Sequence, residues 1–234
     1  MSGDSTSELI MARGIKKVYD DDGVPVEAIR GIDLVIERGE FTAIVGPSGS
    51  GKTTFLNIIS GLDTPTEGEI RLAGRRLTEM SAKELSDFRR DKIGFIFQAY
   101  NLIPVLSVEE NIEYIMLLQG VSKTDRRQRV ERILAELGLE GYANRLPIKL
   151  SGGQQQRVAV ARAMVSGPSL ILADEPTANL DSKTGIELLE MMRELNEKKG
   201  MTFVFSTHDM KIMERARRLV TLKDGRVDSD ETKE

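Results

Sequence analysis

The 234-residue sequence predicts an α/β fold with a parallel sheet. Two observations carry that expectation. Short, wholly apolar runs such as "FTAIVG", "SLILADE" and "MTFVFST" are what strands buried on both faces of a parallel sheet require. Amphipathic helical stretches stand between them, and strands alternating with helices imply parallel crossovers.

Length and composition set the bounds. A chain of this size supports one well-buried domain, or one domain with an inserted lobe. With 40% hydrophobic residues, 30% charged residues and a net charge of −4, nothing in the chain calls for a nucleic-acid partner. The local basic clusters "FRRDK" (88–92) and "KTDRRQRVER" (123–132) have acidic residues among or beside them and read as solvated helix faces. The absence of cysteine excludes disulfides and Cys metal sites. No apolar run approaches a membrane span, and "MSGDSTSELI" lacks the basic start and apolar core of a secretory signal. A cytoplasmic chain is expected, with any membrane role supplied by a partner.

The elements follow in order. Polar ends, "MSGDSTSE" and "DSDETKE", are expected to fray. Two β-rich runs, 9–19 and 26–36, precede the buried strand at 41–46. "KTTFLNIIS" then predicts a helix that Gly61 stops. From Ser107 to about Leu139 two long helical stretches follow with no strand between them, which predicts a helical lobe. After the strand at 169–175, "SKTGIELLEMMRELNEKK" predicts an amphipathic helix with Ile186, Leu189, Met192 and Leu195 on its apolar side. Ligands of such a sheet gather beyond the carboxyl ends of its strands, so the residues just after 45, 174 and 207 are the candidates for function.

At the first of these ends, Gly46, Pro47, Ser48, Gly49, Ser50, Gly51, Lys52 and Thr53 match G-x-x-x-x-G-K-[ST] at every required position, with Thr54 following. The motif lies between a predicted strand and a predicted helix, the context it needs. Its glycines let backbone N–H groups and a helix N-terminus face phosphates. Lys52 is placed to reach the β- and γ-phosphates of a nucleotide, and the Thr53 hydroxyl to hold Mg²⁺. The second end delivers Asp174 and Glu175: Asp174 suits the Mg²⁺ shell, and Glu175 is positioned to orient or deprotonate an attacking water. The third carries "STHD" with His208, the only histidine, as a candidate γ-phosphate contact. Gln98, after "IGFIF", could touch Mg²⁺ or water where the sheet gives way to the helical lobe.

A second anion-seeking feature is "LSGGQ", Leu150 to Gln154. Ser151 and Gln154 fit a capping box, but a cap does not explain Gly152 and Gly153, which weaken a first turn by about 1 kcal/mol each relative to Ala. Close approach of something anionic is the expected reason. If Ser151 sits away from the phosphate loop, its target is the nucleotide of another copy, and a twofold dimer would bury two ATP molecules between the loops of one subunit and "LSGGQ" of the other.

Taken together, the phosphate loop, Gln98, "LSGGQ", "LILADE", the "NLD" of 179–181 and His208 resemble an ATP-binding cassette (ABC) ATPase subunit over almost the whole chain. The resemblance implies a P-loop NTPase fold: a RecA-like core with an antiparallel β subdomain (about 8–98 and 167–228) and an inserted helical subdomain (about 99–166). It also implies that Tyr19 stacks on adenine and that Asp181 communicates across a homodimer formed in the ATP state. Integral membrane permease subunits are the implied partners, at the inner face of the cell membrane. The segments 46–70, 89–112 and 150–163 look most like the lipoprotein-release and macrolide-export branch. The apolar stretch "AYNLIPVLSV" (99–108) fits either a docking surface for a partner helix or local packing. A chromosome or repair ATPase would need a long coiled coil or a DNA-binding insertion, and a P-loop kinase has no use for "LSGGQ" or His208. A non-transporting ATPase that drives a membrane regulator of cell-wall enzymes differs only in its partner.

Overall fold

The computed structural model describes residues 7–21 and 23–233. The chain runs β1 (Glu8–Asp21), β2 (Val24–Glu37), β3 (Phe41–Val45), α1 (Lys52–Ile59), β4 (Glu67–Leu72), β5 (Arg75–Arg76), α2 (Ala82–Lys92) and β6 (Ile93–Ile96). It continues through α3 (Val108–Leu118), α4 (Lys123–Glu136), α5 (Gly152–Met164), β7 (Leu170–Asp174), α6 (Ser182–Lys199), β8 (Thr202–Thr207), α7 (Met210–Arg215), β9 (Arg218–Lys223) and β10 (Arg226–Thr232). A six-stranded sheet has the order β10-β9-β3-β8-β7-β6, and a four-stranded one the order β2-β1-β4-β5. The first is parallel except for β10, and the second is antiparallel throughout.

The apolar runs are explained by two cores, one on each face of the six-stranded sheet. Successive side chains of a strand point to opposite faces. Phe41, Ala43, Val45, Ile171, Ala173, Phe203 and Phe205 therefore join the core packed by α3 to α7. Ile44, Leu170, Leu172 and Val204 join the core packed by α1, α2 and the antiparallel sheet. No position of β3 or β8 is left to face water, so none is polar except threonine and serine.

Helix boundaries follow from local chemistry. Capping boxes open α2 (Ser81 with Glu84), α3 (Ser107 with Glu110) and α5 (Ser151 with Gln154), each supplying two of the hydrogen bonds that a helix start lacks. Asp181 caps α6, accepting from the N–H groups of Lys183 and Thr184.

Two expectations change. The C-terminal "DSDETKE" does not fray over the described residues: β10 pairs with β9, and Arg218 grips Asp230 with both Nε and Nη2. The matching expectation at the N-terminus falls on residues 1–6, outside the described residues, and Glu8 already belongs to β1. In α6 the buried stripe is Gly185, Leu188, Leu189, Met192, Leu195 and Asn196, while Ile186 lies about a quarter-turn off it and is exposed. Asn196 earns its buried place by donating to the carbonyls of Gly39 and Met201.

Candidate functional site

The carboxyl ends of β3, β7 and β8 open into one pocket of about 600 Å³. At its floor, Gly46 has φ +145°. A Cβ there would stand 2.1 Å from the Leu222 carbonyl oxygen and 2.8 Å from Ser50 Oγ, so the loop's first residue must lack a side chain. α1 begins without a side-chain cap and without an acidic residue in its first turn. Its opening N–H groups are thus free for an anion, unlike those of the capped helices. Lys52 Nζ folds back onto the carbonyls of Gly46 and Pro47, at 2.8 and 2.9 Å, which places its ammonium at the mouth of the loop.

Gly46, Pro47, Ser48, Gly49, Gly51, Lys52, Thr53 and Thr54 all line the pocket, as do Gln98, Asp174, Glu175 and His208. Ser50 does not: it is buried behind the loop with its Oγ unpartnered. Gln98 lies two residues beyond β6 rather than at the strand's end, in a turn whose carbonyl accepts from Asn179 Nδ2 at 2.9 Å.

Asp174 ends β7 beside Ser206. Burial pushes its carboxyl above the usual Asp range. The Glu175 charge adds to this, while the Ser206 hydroxyl and Lys52 oppose it. Glu175 follows with φ +46°, a conformation costly for a residue with a side chain. That geometry turns its carboxylate to the neighbouring strand end, where Oε2 accepts from the Thr207 hydroxyl at 2.9 Å and Oε1 from the His208 N–H at 3.2 Å. His208 Nδ1 also reaches Oε1, although its imidazole is largely exposed. The bracing continues: the Asp209 N–H donates to Thr207 Oγ1, and the Thr177 hydroxyl donates to Asp209 Oδ2. Nothing in the sequence marks Thr177, Thr207 or Asp209 for this role. The "STHD" run contains two of them, but only the fold shows that they tie the two strand ends together. Ala28 and Ser206 also line the pocket, and Ala28 carries no chemical signature that a sequence could show.

The residues suited to a divalent cation are Thr53, Asp174 and Gln98, all oxygen donors facing the same space. Among the described residues no three His, Cys, Asp or Glu side chains form a metal cage. That fits Mg²⁺, which keeps waters and phosphate oxygens as most of its ligands.

Tyr19 and the "LSGGQ" residues do not line this pocket. Tyr19 stands at the edge of β1 near Thr54, its hydroxyl donating to Asp63 Oδ2 at 2.7 Å and its ring under Lys17 Nζ. Burial alone would raise the Asp63 carboxyl, but hydrogen bonds from Lys17, Tyr19 and the Thr64 N–H outweigh it and hold the group below the ordinary Asp value. Ser151 is exposed at the start of α5, its capping box closed by the Gln154 and Ser151 N–H groups. The close approach expected at Gly152 and Gly153 is already made within the chain. A Cβ on Gly152 would stand 2.9 Å from the Tyr100 hydroxyl, and one on Gly153 would stand 2.4 Å from Thr184 Cγ2. Asp181 spends its carboxylate on the Thr184 hydroxyl and the N–H groups that open α6, and these bonds keep it well ionised.

Comparison with known proteins gives this arrangement a family. The family profile described as ABC transporter matches residues 29–178. The macrolide export ATP-binding/permease protein MacB 1 of Aeromonas hydrophila is 47% identical over 226 residues, covering 97% of this chain but only 35% of that protein. The uncharacterized ABC transporter ATP-binding protein MJ0796 of Methanocaldococcus jannaschii is 44% identical over 227 residues, 95% of this chain and 97% of that one. The chain thus spans about a third of the MacB relatives and nearly all of the stand-alone ones. Among solved structures, the dimeric post-hydrolysis state of the MJ0796 cassette bound to ADP and Pi superposes with a TM-score of 0.87 at 43% identity, covering 96% of this chain and 98% of that one. CbiO1 of Clostridium perfringens, part of the ABC transporter complex cbiONQ, does so with 0.88 at 29% identity, covering 97% and 89%. With its phosphate loop, paired acids and "LSGGQ" helix in one α/β frame, the chain belongs to the ABC transporter family, as an ATP-binding cassette.

Proposed function

We propose that the chain is the ATP-hydrolysing subunit of a membrane transporter of the lipoprotein-release and macrolide-export type. One observation carries this reading: Lys52, Thr53, Asp174, Glu175 and His208 open onto one pocket, and Ser151 does not. Each chain holds half of two sites, and a homodimer around two ATP molecules completes both.

In that site Lys52 exchanges the loop carbonyls for phosphate oxygens, and the uncapped start of α1 meets the same phosphates. Thr53, Asp174 and Gln98 would hold Mg²⁺, which supplies charge neutralisation on the β- and γ-phosphate oxygens. Glu175, fixed by Thr207 and the His208 N–H, orients the attacking water and takes its proton, giving ADP and phosphate. In this reading His208, exposed at the rim, would contact the γ-phosphate, and Tyr19, near Thr54, would meet the adenine. The segment 99–166 moves as a helical lobe against a core of residues 8–98 and 167–228, drawn by Gln98.

Among the described residues no helix is long and apolar enough to cross a membrane. In this reading the ATP-driven motion is passed to permease parts like those named in the MacB relatives. Val105, Leu117, Leu118 and Ile148 are the most exposed of the large apolar side chains in the lobe, and such a partner would cover them. The same reading puts the chain at the cytoplasmic face of the membrane, as a peripheral subunit. The relatives named for macrolide export and the dimeric MJ0796 structure support the reading.

Loss of a general base costs about 10² to 10⁴ in rate. Glu175→Gln is therefore expected to bind ATP, turn it over that much more slowly and elute as a dimer with ATP and Mg²⁺. A monomeric elution at micromolar protein would overturn the dimer reading.

A further inference from the structure

The segment between β6 and α3 has no regular structure, yet Tyr100 and Asn101 both hold left-handed backbone, with φ of +53° and +50°. Asparagine tolerates that region, whereas a bulky aromatic seldom enters it. Something must hold the turn there, and Arg162 of α5 does so. Its Nη2 donates to the Tyr100 carbonyl at 2.9 Å, and its Nη1 to the Asn101 carbonyl. The planar fork of a guanidinium suits two neighbouring acceptors in a way that an ammonium does not.

The setting of Arg162 makes it a fixed post. The next residue, Ala163, has its carbonyl where a Cβ on Gly94 would lie, at 2.2 Å, so this end of α5 rests backbone to backbone on β6. Arg162 is half-buried and makes no ion pair among the described residues. Its burial pushes the guanidinium below the usual arginine value. A cation in that position without a carboxylate is an unfavourable choice for packing alone.

From this post the turn touches the parts that the reaction needs. Gln98 faces the nucleotide pocket. Its carbonyl is tied to Asn179, in the loop between Glu175 and Asp181. The Tyr100 hydroxyl lies against Gly152, beside Ser151, and 3.4 Å from the Asn179 carbonyl. Building on the ATPase reading above, we propose that Arg162 and Tyr100 are positioning residues: the guanidinium pins the left-handed turn to the sheet so that Gln98 meets the nucleotide, while the Tyr100 ring keeps that turn in register with Gly152 and Asn179.

Two readouts test it. Hydrogen exchange should show the peptide spanning 97–106 exchanging about tenfold faster in Arg162→Met, with β3 and α1 unchanged, since only the pin is lost. In the same variant kcat should fall about 10²-fold, as a misplacement near 1 Å can cause, with the ATP Kd within threefold of the unaltered chain. Arg162→Lys, which keeps the charge but has one donor nitrogen instead of a planar fork, should recover part of both. Unchanged exchange in Arg162→Met overturns the pin. Faster exchange with full turnover, or an ATP Kd that weakens in step with kcat, overturns the role in the reaction. Should Arg162→Met fail to fold, Tyr100→Leu with Arg162 intact must lower kcat without weakening ATP binding, or the proposal falls. An unaltered chain that binds ATP but never hydrolyses it would count against the ATPase reading, while the exchange measurement still decides whether Arg162 holds the turn.

Discussion

Gly153 separates two reasons for the paired glycines of the α5 start, and the structure gives a magnitude for one of them. A Cβ at this position would sit 2.4 Å from Thr184 Cγ2, where ordinary contact begins near 3.4 Å. The shortfall of about 1 Å cannot be absorbed by turning Thr184, because its hydroxyl is bonded to Asp181 at 2.6 Å. Rotation would give up that bond. Sliding α5 against α6 instead is over-packing, at about 1–3 kcal/mol. Against either stands a helix-propensity gain of up to about 1 kcal/mol for alanine. Gly153→Ala should therefore destabilise the nucleotide-free protein by about 1 kcal/mol, a fall in Tm of about 2–4 °C for a chain of this length.

Thr184→Ser removes only the offending methyl and keeps the hydroxyl on Asp181. In that background Gly153→Ala should be neutral or stabilising, giving a coupling of at least about 1 kcal/mol in a thermal or urea double-mutant cycle. Equal destabilisation in both backgrounds would refute the claim that Thr184 excludes the side chain. Turnover in the double variant then decides the rest. Restored activity makes the glycine a packing requirement within one chain, whereas restored stability without activity leaves the approach of a second copy's nucleotide as the reason.

Two further expectations concern carboxylates. Asp181→Ala should cost about 1 kcal/mol through the lost helix cap, seen as a lower Tm, while Asp181→Asn keeps the cap and the stability; equal losses in both would mean that the charge, not the capping, holds α6. The folded Asp174 binds its proton more tightly than the unfolded chain does, so its contribution to stability is most favourable below the ordinary Asp pKa and declines as pH rises through the raised folded value. Without metal or nucleotide, Asp174→Asn should match the parent Tm near pH 4 and exceed it increasingly towards neutrality, and a variant less stable than the parent at pH 7 would contradict that sign.

Legibility in the sequence depended on whether a residue's neighbours are close along the chain. β3, β7 and β8 were readable because burial on both faces forces every position to be apolar or small, and the phosphate loop because its residues are consecutive. β10 was not. As an edge strand with almost no buried side chains, it has the composition of a solvated tail, and only its pairing with β9 and the Arg218–Asp230 contact mark it. The expected run of candidates at strand ends did place Asp174, Glu175 and His208 in one pocket. The groups that hold Glu175 were invisible for the opposite reason: Thr207 lies 32 residues away, and neither that threonine nor Asp209 has a chemistry of its own to announce. Hydropathy puts Ile186 on the apolar side of α6, whereas the buried position beside it is Gly185, which contributes almost nothing to hydropathy.

If the proposed dimer forms, the α5 start contributes a turn whose capping side chains are already engaged. Ser151 and Gln154 use their side chains on one another's N–H groups, and Gln154 Nε2 is further held by the Tyr142 hydroxyl at 3.0 Å. What remains free are the backbone N–H groups of Gly152 and Gly153, which have no acceptor within the helix, together with the positive end of its dipole. Tyr100 and Thr184 pack closely against these same two residues. In the proposed dimer little ordering would be left to be done when a phosphate from a second copy met this turn, and a preorganised surface loses less entropy on association. The packing that forbids a side chain at either glycine therefore also restrains the turn that carries those free N–H groups.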